Sequence, residues 1–267
     1  MAVISKPIIV QPLPLVNITA STAEVSKPAF HLGRHNAPGL TWRATGTGHQ
    51  WLNGEFGGAR SIDFLAVIGM SAASAMSVML RLGDSTAQVD GSLPAYSSGT
   101  LPFVSTAPAV APEDGLYHSF LRLPSPVSAT HWRIDFQQTG ISEASAIVLG
   151  RAIEPSHFYN PDYEHGIEDL GEFEISPWGV LDEQPGLVWR TLDFTLGWQS
   201  EVEFETTFRP LMRAIGSRGV VYCCFDPTDS PYRQARTYMG PLRRPLFARG
   251  SRKPRTVAQE FSILSFI

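Results

Sequence analysis

The sequence predicts a mainly β protein in two parts, and three observations predict it. Gly and Pro, 23 and 21 of 267 residues, break up the backbone throughout. Hydrophobic residues reach 43% and charged ones only 17%, enough apolar matter for a core without disulfide staples. Short apolar or alternating segments recur between turn signals, and only one stretch shows helical spacing. No apolar run approaches the ~18 residues that span a bilayer.

Along the chain, Met1 to Pro7 carries one early positive charge, and Pro7, Pro12 and Pro14 interrupt the apolar stretch that follows, so no signal peptide is expected. Gly57-Gly58-Ala59 reads as a turn into a core strand, Ser61 to Gly69. Ser77 to Leu82 alternates, with Val78, Leu80 and Leu82 on one face. Gly83-Asp84-Ser85 turns the chain, and residues 88–115, with Pro94, Pro102, Pro108 and Pro112, read as long surface loops with short strands. Leu116 to Leu123 and His131 to Phe136 follow as strands, the latter half-buried because Trp132, Ile134 and Phe136 alternate with Arg133 and Asp135. Ala146 to Gly150 adds a short apolar strand, and Glu154-Pro155 breaks the pattern, which places a domain boundary near residue 155.

The second part opens with an acidic loop, followed by strand-like pieces at Gly171 to Ser176 and Leu187 to Gly197. Ser200 and Glu203 form a capping-box pair, and Phe204, Phe208, Leu211, Met212 and Ile215 recur at helical spacing, so a helix is expected over about 201–215. Pro210 conflicts with a regular helix and predicts a bend between Thr207 and Pro210. Gly219 to Phe225 reads as an apolar strand and Val257 to Ile267 as a closing one.

Charge is segregated. Residues 1–151, 152–208 and 209–267 carry 0, −12 and +8. No acid occurs between Ser230 and Gln259, and 18 of the 21 basic residues are Arg, the type enriched at protein interfaces. The acidic neighbour argues against a nucleic-acid footprint. Oppositely charged segments either pair within one chain or offer complementary patches to copies of it. The candidate assembly residues are Arg233, Arg236, Arg243, Arg244, Arg249, Arg252 and Arg255. Cys223 and Cys224 are adjacent, so on a strand they point to opposite faces, which makes an ordinary disulfide between them improbable and suggests synthesis in a reducing cytoplasm.

A search for catalytic constellations nominates nothing, and no catalytic, cofactor or metal site is expected. His31 and His35 are four apart, but Gly33 and Pro38 argue against a ligand-bearing helix. Cys223 lies in an apolar strand and reads as core packing. Gly46-Thr47-Gly48 lacks the rest of a phosphate-binding loop, and Asp226 with Asp229 is turn chemistry. Trp51, Trp178 and Trp198 are more simply core rings than sugar platforms.

Two stretches of the first part carry a resemblance. One is Trp42-Arg43-Ala44 with Trp51 to Gly69; the other is Thr130 to Phe136 with Ala146 to Pro155. Together they resemble the discoidin-like, galactose-binding-type jelly roll found in tail proteins of tailed bacteriophages. Trp189 to Leu196, the helix, Val220 to Pro227 and Arg236 to Leu242 resemble the partner domain of those proteins. The resemblance implies a jelly-roll β-sandwich over residues 1–155 and an α+β assembly domain over 156–267, with one main helix packed on an antiparallel sheet. It implies a virion structural protein of the tail tip, distal-tail or hub-associated. Such a protein assembles in the host cytoplasm into a symmetric ring that contacts tail tube, hub or fibre proteins. The expected ring contact joins the acidic segment of one copy to the Arg-rich segment of the next. An alternative reading is a carbohydrate-binding module that engages host-surface glycan near Trp42, Trp51 and Tyr96, with neither nucleic acid nor membrane insertion involved.

Overall fold

The computed structural model describes residues 5–37, 39–71, 76–104, 110–112, 114–175, 177–179, 181–184, 186–216, 218–244, 246–250 and 255–267. Arg252, one of the candidate assembly residues, lies outside them. In chain order the elements begin with β1 (Ile8–Val10), β2 (Val16–Ala20), a 3-10 helix (Ala29–Gly33), β3 (Trp42–Ile68), β4 (Ser77–Gly83) and α1 (Thr86–Asp90). β5 (Tyr96–Ser97), β6 (Leu101–Pro102), β7 (Leu121–Ala144), β8 (Ala146–Gly150) and β9 (Ala152–Ile153) follow. The remainder comprises β10 (Glu164–Asp169), β11 (Glu172–Ile175), β12 (Leu181–Gln184), β13 (Val188–Ser200), α2 (Glu201–Glu203), a π-helical turn (Phe204–Phe208) and α3 (Arg209–Ile215). β14 (Val220–Cys224), β15 (Thr237–Pro241), β16 (Phe247–Gly250) and β17 (Thr256–Ser265) complete it.

These elements form two compact units. The first is Met1–Glu154 with Tyr222–Thr237, and the second is Pro155–Val221 with Tyr238–Ile267. The first crossing falls between Glu154 and Pro155. The return of Tyr222–Thr237 to the first unit is absent from the sequence reading, because a buried strand segment carries no mark of which sheet it joins.

In the first unit the sheet order is β2-β3-β7-β4-β5, with β6 on β4 and β8 on β3. β3 and β7 pair from Trp42↔Ala144 to Leu65↔Leu121, and the register shifts between Glu55 and Arg60 and between Ile62 and Phe64. Gly57 (φ 68°) and Gly58 (φ 153°) occupy the first shift in backbone conformations that side chains disfavour. Pro124 and Pro126 lie opposite the second, where β7 leaves the ladder and no N–H is needed. The bends bring the two halves of β3 into one core. Trp42, Leu52 and Phe56 from its first half meet Ile62, Leu65 and Val67 from its second, with Trp132, Ile134 and Phe136 of β7 and Ile147 and Leu149 of β8. This is a jelly-roll-like β-sandwich.

The run Phe64 to Ile68 is continuously apolar because both of its faces are covered. Phe64, on the face opposite the sandwich core, lies 5.1 Å from the ring of Tyr222 and 5.3 Å from that of Phe120. Tyr222–Cys224 pairs antiparallel with β1, and β9 flanks β1 on its other side. Ile8, Ile9 and Val10 are fully buried there, each contributing on the order of 2 kcal/mol.

In the second unit the sheet order is β10-β13-β17-β16. Leu192, Phe194 and Leu196 are buried on one face as their alternation predicts. Phe194 stacks on Phe261 at 5.1 Å, and Phe208 of the helical segment meets Phe261 edge-on at 6.3 Å. Ser200 caps the helix, its Oγ accepting from the Glu203 N–H at 3.1 Å. The carboxylate of Glu203 turns to the Ser156 N–H at 2.7 Å, so only half of the capping box forms. The bend expected at Pro210 takes the form of the π-helical turn: the Arg209 N–H bonds to the Phe204 carbonyl five residues back. The added residue relieves the clash a proline imposes on the carbonyl four residues before it.

Residues 164–169, read as part of an acidic loop, form strand β10 instead, paired with β13 from Glu164↔Asp193 to Asp169↔Val188. Polar, acidic residues hide a strand whose side chains are mostly exposed. β11 and β12 form a separate two-stranded ribbon. The Leu170 N–H bonds to the Leu187 carbonyl at 3.0 Å between the two pairs, making the ribbon an extension of the β10–β13 hairpin.

Candidate functional site

The outer face of the first unit's sheet carries the residues that alternate away from the core. The register sets Trp51 opposite Asp135, Asp135 opposite Met79, and Arg133 opposite Arg81. Asp135, only 5% exposed, is the hub. It accepts from Arg133 Nη2 at 2.8 Å, lies 3.1 Å from His49 Nε2 and 3.4 Å from Arg81 Nη2. Arg133 also bonds Asp90 of α1 at 2.7 Å, and its guanidinium lies 4.8 Å from the centre of the Trp51 ring. Burial works against the charge on Arg133, but its bonds to Asp135 and Asp90 outweigh this and hold its pKa above the ordinary value. The result is a half-buried indole beside guanidinium, imidazole and carboxylate groups locked by one another, a surface suited to stacking and directed hydrogen bonds.

The three aromatics expected to hold glycan do not meet. Trp42 is fully buried in the core, its Nε1 donating to the Thr22 carbonyl at 3.0 Å, so it offers no ring face and that expectation is corrected. Tyr96 is opposite Leu82 on the inward side and packs against the core, where burial raises its phenol pKa. Only Trp51 lies on the outer face. Arg133, Asp135 and Arg81, which join it there, were legible as the polar side of alternating strands but not as one cluster, and His49 reads from the sequence as part of a turn rather than a strand.

The Arg candidates divide in the same way. Arg233 belongs to the first unit, 3.6 Å from Asp229 and over the Phe120 ring at 4.9 Å, with its side chain 11% exposed. Arg236 pairs with Asp226 and lies over Tyr232 at 5.6 Å. Both are engaged in ion pairs and ring contacts within the first unit. Arg243 reaches Glu168 at 3.0 Å and Asp193 at 3.8 Å, pairing acidic and basic segments inside one chain rather than between chains. Arg244 is mostly exposed, 3.9 Å from Glu260, and Arg249 and Arg255 are exposed.

Arg249 lies on β16, an outer strand of the second unit's sheet, beside a groove of about 550 Å³. Its walls include Phe204, Met212, Leu246 and Phe247, and Arg209 and Arg213 stand along it. Arg209 is tied to Glu205 at 2.7 Å, whereas Arg213 and Arg249 pair with no carboxylate among the described residues. β10 is the opposite outer strand and carries Glu164, Glu168 and Asp169. Arg213 and Phe247 were missed because their significance depends on the groove between helix and strand.

The remaining candidates are structural. Cys223 and Cys224 are buried free thiols, and burial pushes both pKa values up, that of Cys224 to about 12. His31 Nδ1 lies 2.9 Å from the Thr41 carbonyl and His35 Nε2 2.7 Å from that of Ile147. Among the described residues no group of three or more His, Cys, Asp or Glu side chains is placed to hold a metal ion.

The sequence matches no family model and no curated protein. Among solved structures, the chain is similar to the family 32 carbohydrate-binding module of C. perfringens NanJ in complex with galactose, at 14% identity over 53% of this chain and 99% of that one, with a TM-score of 0.40. It is similar to chitosan-binding module 1 from the chitosanase/glucanase of Paenibacillus sp. IK-5, at 14% identity over 52% and 97% of the two chains, TM-score 0.39. A Streptococcus pneumoniae fucose binding module compares at 10% identity over 52% and 94%, TM-score 0.38.

Proposed function

We propose that this chain is a non-enzymatic assembly protein that closes head-to-tail into a ring through its second unit, as a structural component of a bacteriophage tail tip. The observation that carries the ring is the asymmetry of the four-stranded sheet: one outer strand, β10, bears Glu164 and Asp169, with Glu168 already paired to Arg243, and the other, β16, bears Arg249 beside Arg213. Unpaired outer strands of opposite charge suit a heterologous contact, which closes when its rotation divides the circle. The tail-tip setting rests on the sequence resemblance. Light scattering of the full chain across ionic strengths that screen surface charge tests the ring. The expected result is an oligomer that dissociates as salt rises and is lost with Arg213→Glu/Arg249→Glu; a monomer at low salt and high protein concentration overturns the reading.

A second reading is favoured by the cluster around Trp51: the first unit binds host-surface glycan on its outer face. Galactose and fucose, named in two of the compared structures, are the first probes. Titration of the full chain followed by tryptophan fluorescence should show saturable binding that Trp51→Ala removes. An unchanged signal at ~10 mM sugar, a dissociation constant equivalent to only about −3 kcal/mol, counts against it.

A further inference from the structure

The β11–β12 ribbon extends the β10–β13 hairpin beyond the four-stranded sheet of its unit. Its two strands of four residues, Glu172–Ile175 and Leu181–Gln184, pair with no third strand among the described residues, and a two-stranded hairpin is marginal in water by itself. Its sequence carries Glu172, Glu174, Asp182 and Glu183 and no base. Trp178, in the connection between the strands, is 90% exposed and Ile175 63% exposed. A lone exposed indole is common, but one on an acidic ribbon has the make-up of an interface anchor.

The groove on the same unit is the complement of that ribbon. Phe204, Met212, Leu246 and Phe247 provide an apolar floor and wall, and Phe247 is itself 58% exposed. Arg213 and Arg249 flank it with guanidiniums that have no carboxylate partner among the described residues. We propose that the groove receives the β11–β12 ribbon of a second copy of this chain, with Trp178 against Phe247 and Met212 and the carboxylates of Glu172 and Glu174 on Arg213 and Arg249. The proposal rests on the ring reading and gives it a lock: an apolar anchor fixes register, while opposite charge brings the surfaces together and excludes a groove-to-groove encounter.

The test uses the full chain. Trp178→Ala should weaken self-association by roughly 30-fold, the effect of losing an interface anchor, with unchanged far-UV circular dichroism because the ring is exposed. Glu172→Arg/Glu174→Arg and Arg213→Glu/Arg249→Glu should each be monomeric, and mixing the two should restore the oligomer. Oxidative cross-linking between a Trp178→Cys variant and a Phe247→Cys variant should give a covalent dimer only in the mixture. If the wild-type chain assembles but Trp178→Ala assembles equally well and the mixed cysteines do not cross-link, the ribbon does not occupy the groove and the ring stands on other contacts. A wild-type chain that remains monomeric overturns both.

Discussion

Asp226 closes β14 with its carboxylate bonded to Ser5 Oγ at 2.5 Å, to the Thr228 N–H at 3.2 Å and to Arg236. Burial tends to raise its pKa, and these bonds overcome that and lower it. A carboxyl whose folded pKa lies below its unfolded one stabilises the fold above the unfolded value, near ~3.9, and loses that contribution as pH falls through the folded value. Asp226→Asn should therefore show a shallower loss of stability between neutral and strongly acidic pH in urea titrations; an identical acid limb in the variant would refute the assignment. The adjacent thiols make a second test. With both buried and their pKa values raised, neither Cys223 nor Cys224 should react with a disulfide reagent at pH 8 in the native protein, and both should react in denaturant. Their inertness was legible in the sequence, since Val220 to Phe225 is an apolar run. The fate of Trp42 and Trp51 was not, because both stand on one strand and only the parity of the pleat sends one into the core and the other out.

At the level of the element, physical signals were clear where burial or capping imposed them. The strand over Phe64 to Ile68 announced itself by continuous apolarity, the mark of two covered faces. The helix over 201–215 was marked by Ser200 and by its apolar spacing. Ser200→Ala should cost about 1 kcal/mol, read as a fall in the denaturant midpoint; no change would mean that the cap bond to Glu203 contributes nothing. The π-helical turn was not legible, because Pro210 states only that a regular helix is impossible and the surrounding packing, Phe208 against Phe261, selects the way out. α1 was hidden too. Ser85 caps it by accepting from the Gln88 N–H at 3.3 Å, yet five residues are too few to show a helical period. β10 lacked an apolar alternation because all of its residues but Glu168 are exposed and Ile167 is its one apolar side chain.

Taken as a whole molecule, the chain was readable as a sandwich followed by a sheet with a helix, and the first change of unit coincided with the change in charge. The return was not readable, since pairing between β1 and Tyr222–Cys224 joins residues 212 or more positions apart. That pairing predicts the behaviour of a shortened chain. A fragment ending at Glu154 leaves Ile8, Ile9 and Val10 without the strand that covers one side of β1, exposing apolar surface worth several kcal/mol. It should aggregate or unfold at lower temperature than the same fragment supplied with a peptide of residues 222–237, as followed by thermal melting and light scattering. Equal melting of the two would show that the β-sandwich needs no such partner. The same return sets a clock on biosynthesis. Ribosomes add roughly 5–20 residues per second, so the N-terminal sandwich emerges seconds before the segment that seals it. During that interval the nascent chain presents an open strand edge, which makes it a natural client for chaperones and ties completion of the first unit to translation through most of the second.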